Sequence, residues 1–251
     1  MKPPSTPQSG KGLAKASVLA FLLLPLCASV WSAPIPLLHL AFNEGEGASA
    51  ADATATNPPA VLKGNATWTK NTATGVGAAI SLSGKDGDYV AAPAPKLTGL
   101  GQFTLTLWIN FQGPPAINDR LLSTLLSGKG IDLRVANVNA QSGQVSLGLD
   151  VNGANAIGSD GITAINGWTF VAITYTDTSS VSNIAYYSSG VGQPLGHSGR
   201  GSSAGGPVNG SAELQVGGTP TNPSRTPAVL IDDVRIYPGV LSFKELKDIC
   251  L

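Results

Sequence analysis

The chain has 251 residues, of which 42% are hydrophobic and only 12% charged, with 15 basic side chains against 15 acidic ones. A formal net charge of zero excludes recognition of nucleic acid or any other polyanion by bulk charge. The length is enough to bury a full core, in one large all-β domain or two small ones.

The first fifteen residues carry Lys2, Lys11 and Lys15 and no acid, and they lead into the apolar run "ASVLAFLLLPLCASV", residues 16 to 30. This order is that of a secretory leader, with small or β-branched residues, Val30 and Ser32, placed for cleavage before Ala33. Roughly fifteen apolar residues interrupted by Pro25 fall short of the ~20 that a spanning helix needs. The expectation is therefore a signal peptide over residues 1 to 32 and a secreted chain, 33 to 251, without a membrane span. That chain keeps 12 basic and 15 acidic residues. Of the two cysteines, Cys27 falls in the leader, so Cys250 is expected unpaired, as a small hydrophobe under the C-terminal turn.

Beyond the leader, short alternating or continuous apolar runs recur, separated by Gly, Pro, Asn, Asp and Ser. They start at "LLHLAF" from Leu37, "AAISLS" from Ala78 and "DYVAA" from Asp88. In "QFTLTLWINF", Phe103, Leu105, Leu107, Ile109 and Phe111 share one face, while Thr104, Thr106, Trp108 and Asn110 share the other. "LLSTLLS" from Leu121 follows, and "QVSLGLDV" repeats the alternation with Val145, Leu147, Leu149 and Val151. "WTFVAITY", "NIAYY", "ELQVGG" and "VLIDDVRIY" complete the set. So many strands without a fixed repeat period predict two packed antiparallel sheets, a sandwich or jelly roll. Residues 48 to 60 read as a loop. So does the stretch from Ser188 to Ser211, where eight Gly and six Ser in 24 residues predict mobility. After the last strand, Ser242 and Glu245 form a capping box and Leu241 and Leu246 a hydrophobic staple, which predicts a short C-terminal helix.

The order "LLHLAFNEGEGASAADAT", "AAISLSGKDGDYVAAP", "QFTLTLWINF", "GWTFVAITYTDTSS", "IAYYSSG", "LQVGG" and "IDDVRIYPGVLSFKEL" resembles the laminin-G-like jelly roll of the concanavalin A-like lectin and glucanase superfamily. The likeness spans about residues 37 to 250. It departs where many relatives carry Asp-Gly after the "YY" strand, since Ser188, Ser189 and Gly190 stand there. The resemblance implies an all-β sandwich and leaves activity open, because this fold hosts lectins, adhesion modules, hydrolases and lyases.

Glycoside hydrolysis needs two carboxyl groups across the scissile bond. The Glu-x-Asp-x-Glu strand of laminarinase-type relatives is absent, Glu44 and Glu46 lie in the turn-like "NEGEG", and Asp86 and Asp88 also read as a turn. Simple alternation sends Asp232 and Asp233 to opposite faces, with Asp232 inward beside Leu230, Val234 and Ile236, and Asp233 outward beside Arg235. His39 and His197 have no motif around them. An inward Asp232 needs a cation, an arginine or backbone N–H groups as partner. The first and last strands are often neighbours in the family, which could bring Glu44 or Asp52 to Asp232 as a structural calcium site. Loop amides alone are the alternative. For a sugar, Trp108, Tyr186 and Tyr187 are the candidate stacking rings, with Trp108 and Trp168 also matching structural tryptophans of the family. The reading that results is a secreted, non-catalytic binding or adhesion module for a polysaccharide or cell-surface glycan. Its alternatives are a hydrolase or lyase of the superfamily, or a surface protein that binds other proteins.

Overall fold

The computed structural model describes residues 1–4, 34–162 and 164–250, so the expected leader lies almost wholly outside the described residues. By its internal contacts the chain divides into Met1–Ser32 and Ala33–Leu251, and the elements below all belong to the second unit. In chain order they are β1 (Leu38–Leu40), β2 (Ser49–Ala50), β3 (Ala60–Lys63), β4 (Thr67–Thr69), β5 (Ala79–Ser83), β6 (Tyr89–Ala92), β7 (Gln102–Phe111) and β8 (Arg120–Ser123). There follow β9 (Ile131–Asn139), β10 (Gln144–Val151), β11 (Ala154–Ile157), β12 (Thr169–Thr176), β13 (Ile184–Gly190), β14 (Gly196–Gly201), β15 (Leu214–Val216), β16 (Ala228–Tyr237) and the helix α1 (Phe243–Cys250).

The strands form two antiparallel sheets. The first runs β14-β13-β12-β7-β16-β5-β4, with β1 also paired to β16; the second runs β11-β10-β9-β8-β15-β6-β3-β2. Long-range neighbours such as β7 and β16 confirm the jelly-roll type of winding that the alternation predicts. Phe103, Leu105, Leu107, Ile109 and Phe111 of β7 and Val145, Leu147, Leu149 and Val151 of β10 meet in one core between the sheets. Burial of these faces is the main stabilising term of a sandwich, at roughly 25 cal/mol per Å² of apolar surface.

The other face of β7 is also covered. Thr104 Oγ1 donates to the Gly239 carbonyl at 2.7 Å and accepts from the Leu241 N–H at 3.0 Å, which seats α1 against the first sheet. The capping box forms as the sequence predicts: Ser242 N–H donates to Glu245 Oε2 at 2.6 Å, and Glu245 N–H donates to Ser242 Oγ at 3.3 Å. Leu241 and Leu246 join Trp108, Phe170 and Tyr237 in a second apolar cluster on the outer face of this sheet. Cys250 packs at its edge as a free thiol.

The stretch from Ser188 to Ser211 is not a structureless loop. It supplies the end of β13 and all of β14, the edge strand of the first sheet. Its glycines let the backbone pack closely: a Cβ on Gly199, where φ is +123°, would lie 2.1 Å from the Gly158 carbonyl oxygen. The stretch is then tied down by Asn183, which donates to the Ser203 carbonyl at 2.9 Å and accepts the Ser203 N–H at 2.8 Å.

Candidate functional site

The centre of β16 is the feature that departs most from the sequence reading. Between Asp232, opposite Trp108, and Arg235, opposite Thr106, β16 advances three residues while β7 advances two. The extra residue is a β-bulge, and Asp233 sits in it with φ of 50°. At the same point the other neighbour of β16 changes from β5, paired to Ala228–Ile231, to β1, paired to Val234–Ile236. Val229 and Ile231 face the core before the bulge, and Val234 and Ile236 face it after. Asp232 therefore does not share the inward face of Val234 and Ile236. Both aspartates lie on the outer side and line the same cavity of about 230 Å³.

Charge in this cavity is divided unequally. His39 stands opposite Arg235 in the β1–β16 register. Its Nε2 lies 2.7 Å from Asp233 Oδ1, while Arg235 Nε donates to the same oxygen at 3.0 Å and Arg235 Nη2 meets Oδ2 at 2.8 Å. A carboxylate only accepts, so the His39 contact requires the proton on Nε2. Arg235 Nε also comes within 3.2 Å of that nitrogen because both groups grip one oxygen. Burial opposes the charge of Asp233, but the His39 hydrogen bond and the Arg235 guanidinium outweigh it and hold its pKa below the ordinary value. Asp232 is only 7% exposed, and burial, followed by the neighbouring Asp233 charge, pushes its pKa up to about 7 against the partial relief of the Asp233 N–H.

Two further cavities adjoin this one. Trp108 and Thr74 also line an apolar cavity of about 420 Å³, walled by Val191, Pro194, Leu195 and α1. Asn43 also lines a cavity of about 410 Å³ beside Glu44, Glu46, Trp68 and Lys70. Trp68 is anchored by its Nε1–H, which donates to the Gly47 carbonyl at 2.8 Å, and its ring meets Phe42 edge-on at 6.4 Å. Shared lining residues thus set the three cavities side by side, as a trough in three parts.

The remaining predicted site residues take separate places. Asp52 accepts from His39 N–H at 2.9 Å, from Thr54 and from Asn57, so it positions the backbone of the histidine whose ring Asp233 holds. Burial opposes its charge and these bonds overcome it, lowering its pKa to about 2. Glu44 accepts from Ala51 N–H at 2.7 Å. The first and last strands are neighbours as expected, but Glu44, Asp52 and Asp232 have separate hydrogen-bond sets. Among the described residues no group of three or more His, Cys, Asp or Glu side chains is placed to hold a metal. Tyr186 is no stacking ring: it is buried between the sheets, where its hydroxyl accepts the Leu149 N–H at 3.1 Å. Tyr187 is half-buried against Phe243 and His197. Trp108, 7% exposed, packs on Phe170 with centroids 5.4 Å apart and forms the floor shared by two cavities.

One acidic pair escapes a reading of strands taken singly. Asp132 and Asp150 are cross-strand partners on the second sheet, with Arg134 and Arg120 paired one step along the same face. Arg120 Nε lies 2.6 Å from Asp132 Oδ2, and Arg134 Nε 3.8 Å from Asp150 Oδ2. Burial raises the pKa of both acids, and the arginines draw it part of the way back. The Asp132 side chain is wholly buried, which gives this network a role in structure rather than in contact with a ligand.

Two antiparallel sheets packed as a jelly roll, with a trough on one outer face, define the class: a lectin-like β-sandwich domain. The chain belongs to the concanavalin A-like lectin/glucanases superfamily, whose Laminin_G_3 family model matches residues 83–247. A search of curated proteins found no match. Among solved structures, the chain is similar to domain 4 of AbnA, an extracellular arabinanase of glycoside hydrolase family 43 from Geobacillus stearothermophilus, solved with arabinotriose. That match has TM-score 0.64 and 17% identity, and covers 88% of this chain and 100% of that one. It is also similar to the botulinum neurotoxin serotype D ligand-binding domain in complex with N-acetylneuraminic acid, at TM-score 0.59 and 14% identity over 86% of this chain. The binding domain of Paraclostridial Mosquitocidal Protein 1 matches at TM-score 0.57 and 14% identity, again over 86% of this chain. The chain spans about half the length of these two toxin domains, 50% and 51%.

Proposed function

We propose that this protein is a secreted, non-catalytic carbohydrate-binding module that holds a polysaccharide segment in the polar part of the trough, along the Asp232 and Trp68 cavities. The observation that carries the reading is that the Asp232 cavity and the Trp68 cavity lie side by side and share Asn43. Sugar recognition asks for apolar ring faces bordered by a few convergent polar groups. Trp68 supplies the first; Asn43, Glu44, Asp232 and Arg235 supply the second. The solved relatives that carry arabinotriose and N-acetylneuraminic acid support the ligand class. The lysine-led apolar leader supports secretion.

A glycan array read with calcium and again with chelator tests this and exposes any cation requirement. Binding is expected to at least one polysaccharide class. Asn43→Ala changes an exposed side chain, so it should weaken binding about three- to tenfold, the worth of one hydrogen bond, without lowering the melting temperature. Failure to bind any glycan under either condition would sink the proposal.

A second reading, a glycoside hydrolase, is favoured by one observation: the bulge brings Asp232 and Asp233 into one cavity with their pKa values pushed apart. Release of reducing sugar by the parent and not by Asp232→Asn would establish it.

A further inference from the structure

The trough changes character abruptly at Trp108. On one side are His39, Asp232, Asp233 and Arg235; on the other the lining is mostly apolar, with Ala73, Val191, Pro194 and Leu195, and its polar side chains are Thr74, Gln193 and Lys247. The apolar cavity is built by separate elements: β7 provides the floor, the turn between β13 and β14 one wall and α1 the other. Most hydroxyls of a sugar ring would lose their bonds to water there without a replacement. An apolar cavity of about 150 Å³ is enough to hold a benzene ring. At about 420 Å³ this one has room for an aryl group or an alkyl chain.

From this we infer that the ligand is a glycoside bearing an apolar substituent, with the sugar in the Asp232 cavity and the substituent across Trp108 in the apolar cavity. The inference rests on the carbohydrate-binding reading above. Adjacency selects the occupant: Trp108 and Thr74 line both cavities, so a substituent on a sugar held beside the tryptophan has the apolar cavity as its nearest neighbour. Val191 forms the lip of that side and is 53% exposed. It can be replaced without disturbing the core.

The test is calorimetric titration of the protein with methyl, butyl and octyl glycosides of arabinose, glucose and galactose below their micelle concentrations, with octanol as control. Each added methylene should tighten binding about three- to fourfold until the cavity is full. Val191→Asp should remove most of that gain and leave the methyl glycoside unchanged. Leu195→Ala should reduce the gain without adding charge. Equal affinity for methyl and octyl glycosides would leave carbohydrate binding intact and overturn the inference. So would octanol binding as tightly as the octyl glycoside, or a gain that survives both substitutions. If no glycoside in the series binds, the carbohydrate reading falls together with the inference.

Discussion

Asp232 is a carboxyl group whose environment favours its neutral form. Its folded-state pKa of about 7 stands above the ordinary value of 3.8, so the folded chain holds this proton more tightly than the unfolded chain does. Between about pH 4 and pH 7 the unfolded state has already lost the proton that the folded state retains, and stability must fall as pH rises through that window. Asp232→Asn removes the titration and keeps an oxygen for the Asp233 N–H. The variant is expected to exceed the parent by on the order of 2 to 4 kcal/mol at pH 8 and to match it near pH 4. Urea unfolding of both proteins at the two pH values measures this, and a constant offset would show that Asp232 ionises freely in the fold.

On the scale of the element, the bulge decides which residues meet. A residue at φ near +50° is unfavourable with a Cβ, and aspartate is among the few side chains that tolerate it. Its carboxylate also collects His39 and Arg235. Asp233→Ala should lose both the bonds and the backbone tolerance, whereas Asp233→Gly should lose only the bonds. The glycine variant is expected to be the more stable by about 1 kcal/mol, the reverse of the usual order inside a strand. Thermal unfolding of the pair reads the difference, and alanine equal to or better than glycine would remove strain from the account. The bulge was legible after all in "VLIDDVRIY": the apolar positions run Val229 and Ile231, then Val234 and Ile236, a change of phase by one residue. Strict alternation passed over that change and sent the two aspartates apart. The capping box of α1 was read correctly because Ser242 and Glu245 bond each other within a single turn.

For the molecule as a whole, the two outer faces divide the work. The first sheet covers its outer face with α1 and an apolar cluster and leaves the trough beside them; the second lays a charge network over β8, β9 and β10. The sandwich was legible from alternation in β7 and β10 because a two-residue period appears within each strand. The network was not, since Asp132 meets Asp150 and Arg120 meets Arg134 only once the register of three strands is set. The trough likewise needs β1 beside β16 and α1 beside β7. This division makes a prediction. Arg120→Met removes the cation 2.6 Å from a carboxylate with no exposed surface, and an uncompensated buried charge costs about 3 to 5 kcal/mol. The double variant Arg120→Met, Asp132→Leu removes both charges and should regain most of that loss. Because the network lies on the other sheet from the trough, the folded double variant should bind glycans as the parent does. Urea midpoints that fall equally for the single and double variants would mean that Asp132 draws its compensation from elsewhere, with Ser123 across the β8–β9 pair as the nearest candidate.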